Sequence, residues 1–414
     1  MKVAVIGLGK LGLPLAALLA NSNNKVKGFD KSETLRNAIT SKSFKSPEPG
    51  LNGLLENSGS TLEIKNSVSE TVSGSEVVFI IVPTPSEFSG RFSNDYLIDA
   101  LKEIGSSIRN SNDKIVIDVV STVMPQSCSG ILKKTLEESS GREVGESLGL
   151  CYNPEFIALG SVIHDMEYPD MHLVGQSSDW AGEYVERALK TITKRDVPAR
   201  RMSLTEAELV KIAVNNFVTM KISYANMLYQ AALTLGGVDI DVVTSAIGLD
   251  SRIGGKYLRA AAPYGGPCFP RDTRALSHLY DELGLVDSLS TATDVANKNH
   301  IKFISEFISK NFSESKSIGI AGISYKTGTQ VIEESPGLAI ASYLESLGYK
   351  ISYWDDENAM PEESMTHFKV CDSAENLMEN SDFILITRPL NNPNVFYELL
   401  LEKNKPYFDL WRQR

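Results

Sequence analysis

The stretch KVAVIGLGKLGLPLAALLA, residues 2–20, constrains this chain more than any other. Its first half is a continuous apolar run, the pattern of a parallel strand covered on both faces. Its second half has helical periodicity, and Gly7, Gly9 and Gly12 stand between them as GxGxxG. In such a unit the three glycines allow a tight turn, close backbone approach to a pyrophosphate, and tight packing of helix on strand, with the diphosphate at the helix N-terminus. A glycine triplet alone is a weak signal. Here a second strand candidate, KVKGFD, ends on Asp30, 18 residues beyond Gly12, where a carboxylate can accept hydrogen bonds from an adenosine ribose. The pattern predicts a dinucleotide site on Gly7, Gly9, Lys10, Leu11, Gly12, Asp30 and Lys31. The carboxylate favours NAD over NADP, because it would repel a 2′-phosphate, although Lys31 beside it works the other way.

Further short β-rich runs, EVVFIIVP, KIVIDVV, LGLCYNPEF and MHLVG, alternate with helical segments to about residue 200. That alternation predicts a doubly wound parallel sheet. Thr84 in VPTP and Thr122 in STV fall at strand ends, on the edge where such sheets bind ligands, and are candidate cofactor contacts. From Ser203 about thirty residues run without proline, which predicts one long helix capped by Ser203 or Thr205. Helical segments continue to about residue 312, after which SIGIAGISY, KISYWDD, DFILITR and PYFDLW restore the strand pattern. The expected architecture is therefore two Rossmann-like α/β domains, 1–200 and 301–414, joined by a long central helix and a helical connector, 201–300.

The net charge of −11 argues against a nucleic-acid or anionic-membrane partner, which would require a clustered cationic face. The apolar N-terminus is interrupted by glycines and lacks a small-x-small cleavage pattern, so neither a signal peptide nor a spanning helix is expected. Cys128, Cys151, Cys268 and Cys371 are far apart, and His164, His172, His278, His300 and His367 form no close helical pair. No disulfide framework, no metal site and a reducing cytoplasm are the expectations.

One cysteine has an unusual setting. PYGGPCFPRD, residues 263–272, puts Cys268 between a glycine pair and Pro270, and Pro270 suits the first turn of a following helix. A cysteine just before a helix N-terminus gains thiolate character from the dipole, assisted here by Arg271 and Arg274. Most cysteines are small buried hydrophobes, but these glycines and prolines describe a shaped turn. Asp272 lies one helical turn on, placed to orient a water or hold a cation. On the long helix Lys211 and Asn215 share a face; singly they read as a solvated lysine and a surface amide, while together with a thiol they suit a tetrahedral oxyanion.

Taken with VPTP, STV, NPEF, ELVKIAVNNF, IGLDSRIGGKYL, GGPCFPRD, GISYKTGT and EESP, in that order, the chain resembles the UDP-glucose/GDP-mannose dehydrogenase family over its whole length, most closely the UDP-glucose 6-dehydrogenase branch. The resemblance implies oxidation of the 6-hydroxymethyl of a nucleotide sugar to a carboxylate with two NAD, through a cysteine thiohemiacetal and thioester. It implies Cys268 as nucleophile, Lys211 and Asn215 as oxyanion donors, and Asp272 acting with Lys211 on the hydrolytic water. Glu155 would move protons through water, and Thr122 would position water and cofactor. Phe156 and Ile157 beside Glu155, with Tyr257, Tyr264, Gly265 and Lys326, would contact the substrate. Arg252 would reach the sugar from the partner subunit of a homodimer built on the long helix.

Five positions, at three sites, depart from the family pattern. Leu159 stands where a second glutamate is common; Gln330, Val331 and Glu333 replace two aspartates and an arginine; Met171 follows PD where arginine is usual. The alternatives are a dehydrogenase of another nucleotide hexose, such as a UDP-N-acetylhexosamine, or a nucleotide-sugar-binding homologue with impaired catalysis. NPEF speaks against the acetamido branch, and the set Cys268, Lys211, Asn215, Asp272 against the binding homologue. A simple β-hydroxyacid dehydrogenase would need neither Cys268 nor a third domain.

Overall fold

In a computed structural model, which describes residues 1–286, 288–361 and 367–412, the chain separates into two compact units, Met1–Lys211 and Ile212–Arg414. Asp287, within the stretch expected to be helical up to residue 312, lies outside the described residues.

The first unit is built on β1 (Lys2–Ile6), β2 (Lys25–Phe29), β3 (Leu62–Ile64), β4 (Val77–Ile80), β5 (Ile115–Val119), β6 (Leu148–Tyr152), β7 (His172–Gln176) and β8 (Ala199–Met202). They form one sheet in the order β3-β2-β1-β4-β5-β6-β7-β8. The chain starts in the middle and reverses direction of growth between β1 and β4, so a crevice opens at the carboxyl ends of these two strands. β1, β4, β5 and β6 are buried along nearly their whole length because helices cover both faces. Val3, Val5, Phe79 and Val116 pack towards one helical layer and Ala4, Ile6, Val78 and Ile117 towards the other.

The expectation of an all-parallel sheet fails at one joint: β7 runs antiparallel to β6. The segment between them contains only the short helix Val162–Glu167, and the chain turns back instead of crossing the sheet. The short strands β3 and β8 carry no clear alternation and were not expected as strands; β8 is half exposed at the sheet edge.

In the second unit, β9 (Ser317–Ala321), β10 (Lys350–Trp354), β11 (Lys369–Val370), β12 (Phe383–Ile386) and β13 (Tyr407–Asp409) form a parallel sheet ordered β11-β10-β9-β12-β13, again with a reversal beside its first strand. The long helix is Leu204–Leu235, and the division between units falls inside it. Ser203 caps it: its hydroxyl accepts from the Glu206 N–H at 3.3 Å, while the Glu206 carboxylate accepts from the Ser203 N–H at 2.8 Å. Thr205 lies within the first turn. No helix among the described residues is long and apolar enough to cross a membrane.

Candidate active site

The first unit holds the glycine loop. The helix begins at Gly12, two residues later than its sequence pattern suggests, leaving Lys10 and Leu11 in the turn. Gly7 has φ +94°, and a Cβ there would collide with the Ile81 carbonyl; one on Gly12 would collide with the Gly7 carbonyl. Nothing lies within 4 Å of the Cβ position of Gly9, so that side of the loop is open to a ligand. Asp30 sets the loop: its carboxylate accepts from the Leu8 N–H and the Ser32 N–H, both at 2.8 Å. A narrow glycine turn, an open Gly9 and a carboxylate at the end of β2 fit an NAD adenosine diphosphate. Lys31 points to Asp99 at 3.8 Å in an exposed pair.

Three strand ends of this unit are knitted together. The Thr84 hydroxyl, after β4, donates to the Thr122 carbonyl at 2.7 Å. Ser121 donates to the Val82 carbonyl at 2.6 Å and accepts from the Val82 N–H at 2.9 Å. After β6, the Glu155 carbonyl accepts from the Lys211 ammonium at 2.7 Å, and Lys211, itself buried, lies 4.7 Å from the centre of the Phe156 ring. Burial pushes the Glu155 carboxyl up to about 7, with the Lys211 charge holding it back. That value suits a group that takes up and releases protons near neutral pH. Asp118 of β5 is fully buried, and neither carboxylate oxygen has a hydrogen-bond partner among the described residues. Burial, then the charge of Glu155, raises it well above the carboxylate range.

Ile157 and Leu159 pack against the first unit's core, so the missing glutamate has become an apolar contact. Met171 packs on the opposite face of the same sheet.

The second unit holds the cysteine. Cys268 is the N-cap of the helix Phe269–Glu282, with Pro270 in its first turn, and is exposed; it forms no disulfide among the described residues. The Asp272 N–H donates to the Cys268 carbonyl at 2.9 Å, closing that turn. Asp272 is buried, and its carboxylate accepts from the Asn215 amide at 2.6 Å while its carbonyl accepts from the Asn216 amide at 2.9 Å. Asn215 and Asp272, expected to work at one thiol, are therefore in direct contact. The Arg274 guanidinium, expected to help the thiolate, is held by Glu334 at 2.6 and 3.2 Å and lies 3.7 Å from Asp294.

The glycine pair before Cys268 admits a second segment. Gly266 has φ +83°, and a Cβ on it would strike the Tyr325 ring. Tyr325 was not singled out from sequence. Burial, with the nearby Cys268, pushes its hydroxyl up to about 12, so it remains a hydrogen-bond donor in the physiological range. Lys326 lies 5.9 Å from the Tyr325 ring centre. At Gly265 a Cβ would meet the Glu334 carbonyl. Tyr264 is buried, its N–H and carbonyl both paired at 2.9 Å with the Asn297 amide, and Tyr257 sets its ring edge-on to Phe269 at 6.2 Å. Arg252 is exposed and paired with Asp250, the shortest contact being 2.6 Å. Glu333 is exposed, and the Val331 carbonyl accepts from the Tyr325 N–H at 2.9 Å.

Comparison with known proteins accounts for both units. Residues 1–193 match the NAD binding domain of the UDP-glucose/GDP-mannose dehydrogenase family, 205–299 its central domain and 319–412 its UDP binding domain. The GDP-mannose 6-dehydrogenase of Azotobacter vinelandii is 30% identical over 363 residues, covering 86% of this chain and 81% of that protein. The UDP-glucose 6-dehydrogenase AglM of Haloferax volcanii is 29% identical over 393 residues, covering 93% and 90%. The UDP-glucose dehydrogenase structure from Pyrobaculum islandicum superimposes with a TM-score of 0.89 at 28% identity, covering 99% of this chain and 94% of that one. With an open glycine loop on one sheet and a helix-capping cysteine beside a buried aspartate in the other unit, this chain belongs to the UDP-glucose/GDP-mannose dehydrogenase family and is an NAD-dependent nucleotide-sugar 6-dehydrogenase.

Proposed function

We propose that the chain oxidises the 6-hydroxymethyl of UDP-glucose to the carboxylate of UDP-glucuronate, with Cys268 as the covalent carrier. The observation that carries this reading is the setting of Cys268: an exposed thiol at a helix N-cap, one turn from a buried Asp272 held by Asn215. Alcohol-to-aldehyde oxidation needs a base and a hydride acceptor only. Going on to the acid needs a thiol that adds to the aldehyde, is carried to the thioester, and is released by water. Gly7, Gly9, Lys10, Leu11, Gly12, Asp30 and Lys31 would hold NAD, with Thr84 and Thr122 beside it, and the cofactor would supply the hydride acceptor for both oxidations.

The chain's own groups divide the remaining work. The helix N-terminus favours the Cys268 thiolate. Lys211 and Asn215 stabilise the oxyanion formed when thiolate meets aldehyde, and again when water meets thioester. Glu155 takes a proton from that water, and Asp272 and Thr122 orient it. The net reaction consumes one water and releases three protons with the two reduced cofactors, and Cys268 returns as the thiol. Phe156, Ile157, Tyr257, Tyr264, Gly265 and Lys326 line the sugar nucleotide. The match of 319–412 to a UDP binding domain supports uridine as the base.

Phe217, Tyr224, Met227 and Leu235 are exposed apolar residues along one helix, a feature that supports pairing with a second copy, which would bring Arg252 to the neighbouring sugar. An exposed thiolate nucleophile also favours a reducing cytoplasm. The division into 1–200, 201–300 and 301–414 is the functional one we adopt for cofactor, dimer and nucleotide.

The test is NADH formation with UDP-glucose, UDP-N-acetylhexosamines and GDP-mannose, each over a concentration range that yields kcat and kcat/KM. Turnover highest with UDP-glucose supports the reading. A higher kcat/KM with GDP-mannose or an acetamido sugar overturns the substrate and leaves the thiol chemistry standing.

A further inference from the structure

Glu208 lies one turn before Lys211 on the helix Leu204–Leu235 and is completely buried. A carboxylate taken from water is costly unless donors surround it, and three do. The Gln126 and Cys128 backbone N–H groups donate to its two oxygens at 2.6 and 2.7 Å. The Cys128 thiol is a third donor. Burial lifts the carboxyl above its ordinary range and these donors hold it down.

The amides it grips belong to the loop that begins with Ser121 and Thr122 and enters the helical turn Cys128–Leu132. Gln126 has φ +72°, in the left-handed region that a residue with a Cβ seldom adopts, so an outside contact is needed to hold the loop in this shape. The start of the loop is tied to the end of β4 through Thr84 and Ser121. Its far end is tied to Glu208, and on the next helical turn Lys211 reaches the Glu155 carbonyl at the end of β6.

We infer that Glu208 is a positioning residue, gripping the 126–128 backbone so that Thr122 and Lys211 are held in one fixed register for the reaction. This rests on the roles given to Thr122 and Lys211 above. Glu208 would act through the backbone it holds, at Gln126 and Cys128. In Glu208→Gln one of the two oxygens becomes an amide nitrogen, which cannot accept, so one backbone N–H loses its partner.

The experiment compares wild type, Glu208→Gln and the double variant Gln126→Gly with Glu208→Gln. The glycine relieves the left-handed backbone and returns stability without restoring the acceptor. The expected result in Glu208→Gln is a kcat lower by at least about tenfold, with KM for the nucleotide sugar and NADH affinity within about twofold of wild type. Hydrogen exchange of the 122–132 segment is expected to quicken about tenfold while β5 stays protected. The double variant should recover thermal stability but not kcat. A kcat within twofold of wild type in Glu208→Gln, or a kcat that returns together with stability in the double variant, overturns the inference. Unchanged exchange at 122–132 overturns it as well, and does so even if no nucleotide sugar is turned over. Silence of the wild type on every sugar is a failure of the functional reading, distinguished by normal NADH binding.

Discussion

Cys268 and Glu155 are the residues whose chemistry is most exposed to test. Cys268→Ser keeps the size of the side chain and removes the easily oxidised acyl carrier. Acid formation is expected to fall by at least about 100-fold while NADH binding is retained, read by product mass and cofactor fluorescence. Glu155 must be ionised to take a proton from water, so the rate of acid formation should rise with pH through about 7. Glu155→Gln should flatten that rise and lower kcat by on the order of 100-fold. The same group leaves a mark on stability. Its carboxyl is raised by burial, so its contribution is present at low pH and lost as pH climbs through about 7. Relative to wild type, Glu155→Gln should therefore gain in denaturant stability between pH 5.5 and 8.5. Cys268 was legible because glycines and prolines mark a shaped turn. Glu208 was not, since an acidic residue between Ala207 and Leu209 in a long helix looks like a solvated position until its burial is seen. The pairing of Arg274 with Glu334 joins residues 60 apart and has no local signature.

At the scale of elements, the loop from β1 into the helix Gly12–Asn21 read clearly because strand, turn and helix are adjacent in sequence. Gly12→Ala puts a methyl into the Gly7 carbonyl. The helix must then move off the loop, and NADH affinity should drop by at least about tenfold in a fluorescence titration. Ser203 and Glu206 announced the long helix through a capping box that depends on residues three apart. The direction of β7 did not show itself. An apolar strand looks the same in sequence whichever way it pairs, and the choice is made by the segment from Asn153 to Met171, which returns to the sheet without crossing it. Strands β3 and β8 are short edge pieces whose pairing comes from their neighbours.

For the whole molecule, the three family segments cover cofactor, central and nucleotide portions in turn. The apolar residues exposed on the long helix carry the assembly prediction. If the chain pairs through this face as proposed, Phe217→Glu places a charge among Tyr224, Met227 and their counterparts and should lower the sedimentation coefficient to that of a monomer; an unchanged coefficient would contradict pairing through this face. Which sugar is bound could not be read from sequence, because Leu159 and Glu333 both lie where the family pattern has other residues and their consequences are set by packing.

Every catalytic role proposed above serves a four-electron oxidation through Cys268. The most direct measurement is the ratio of NADH formed to nucleotide sugar consumed, taken to completion with limiting UDP-glucose and with the product identified by mass. Two NADH for each sugar, with a uronic acid as the only product, is the expected result. One NADH for each sugar, with aldehyde released, would contradict it.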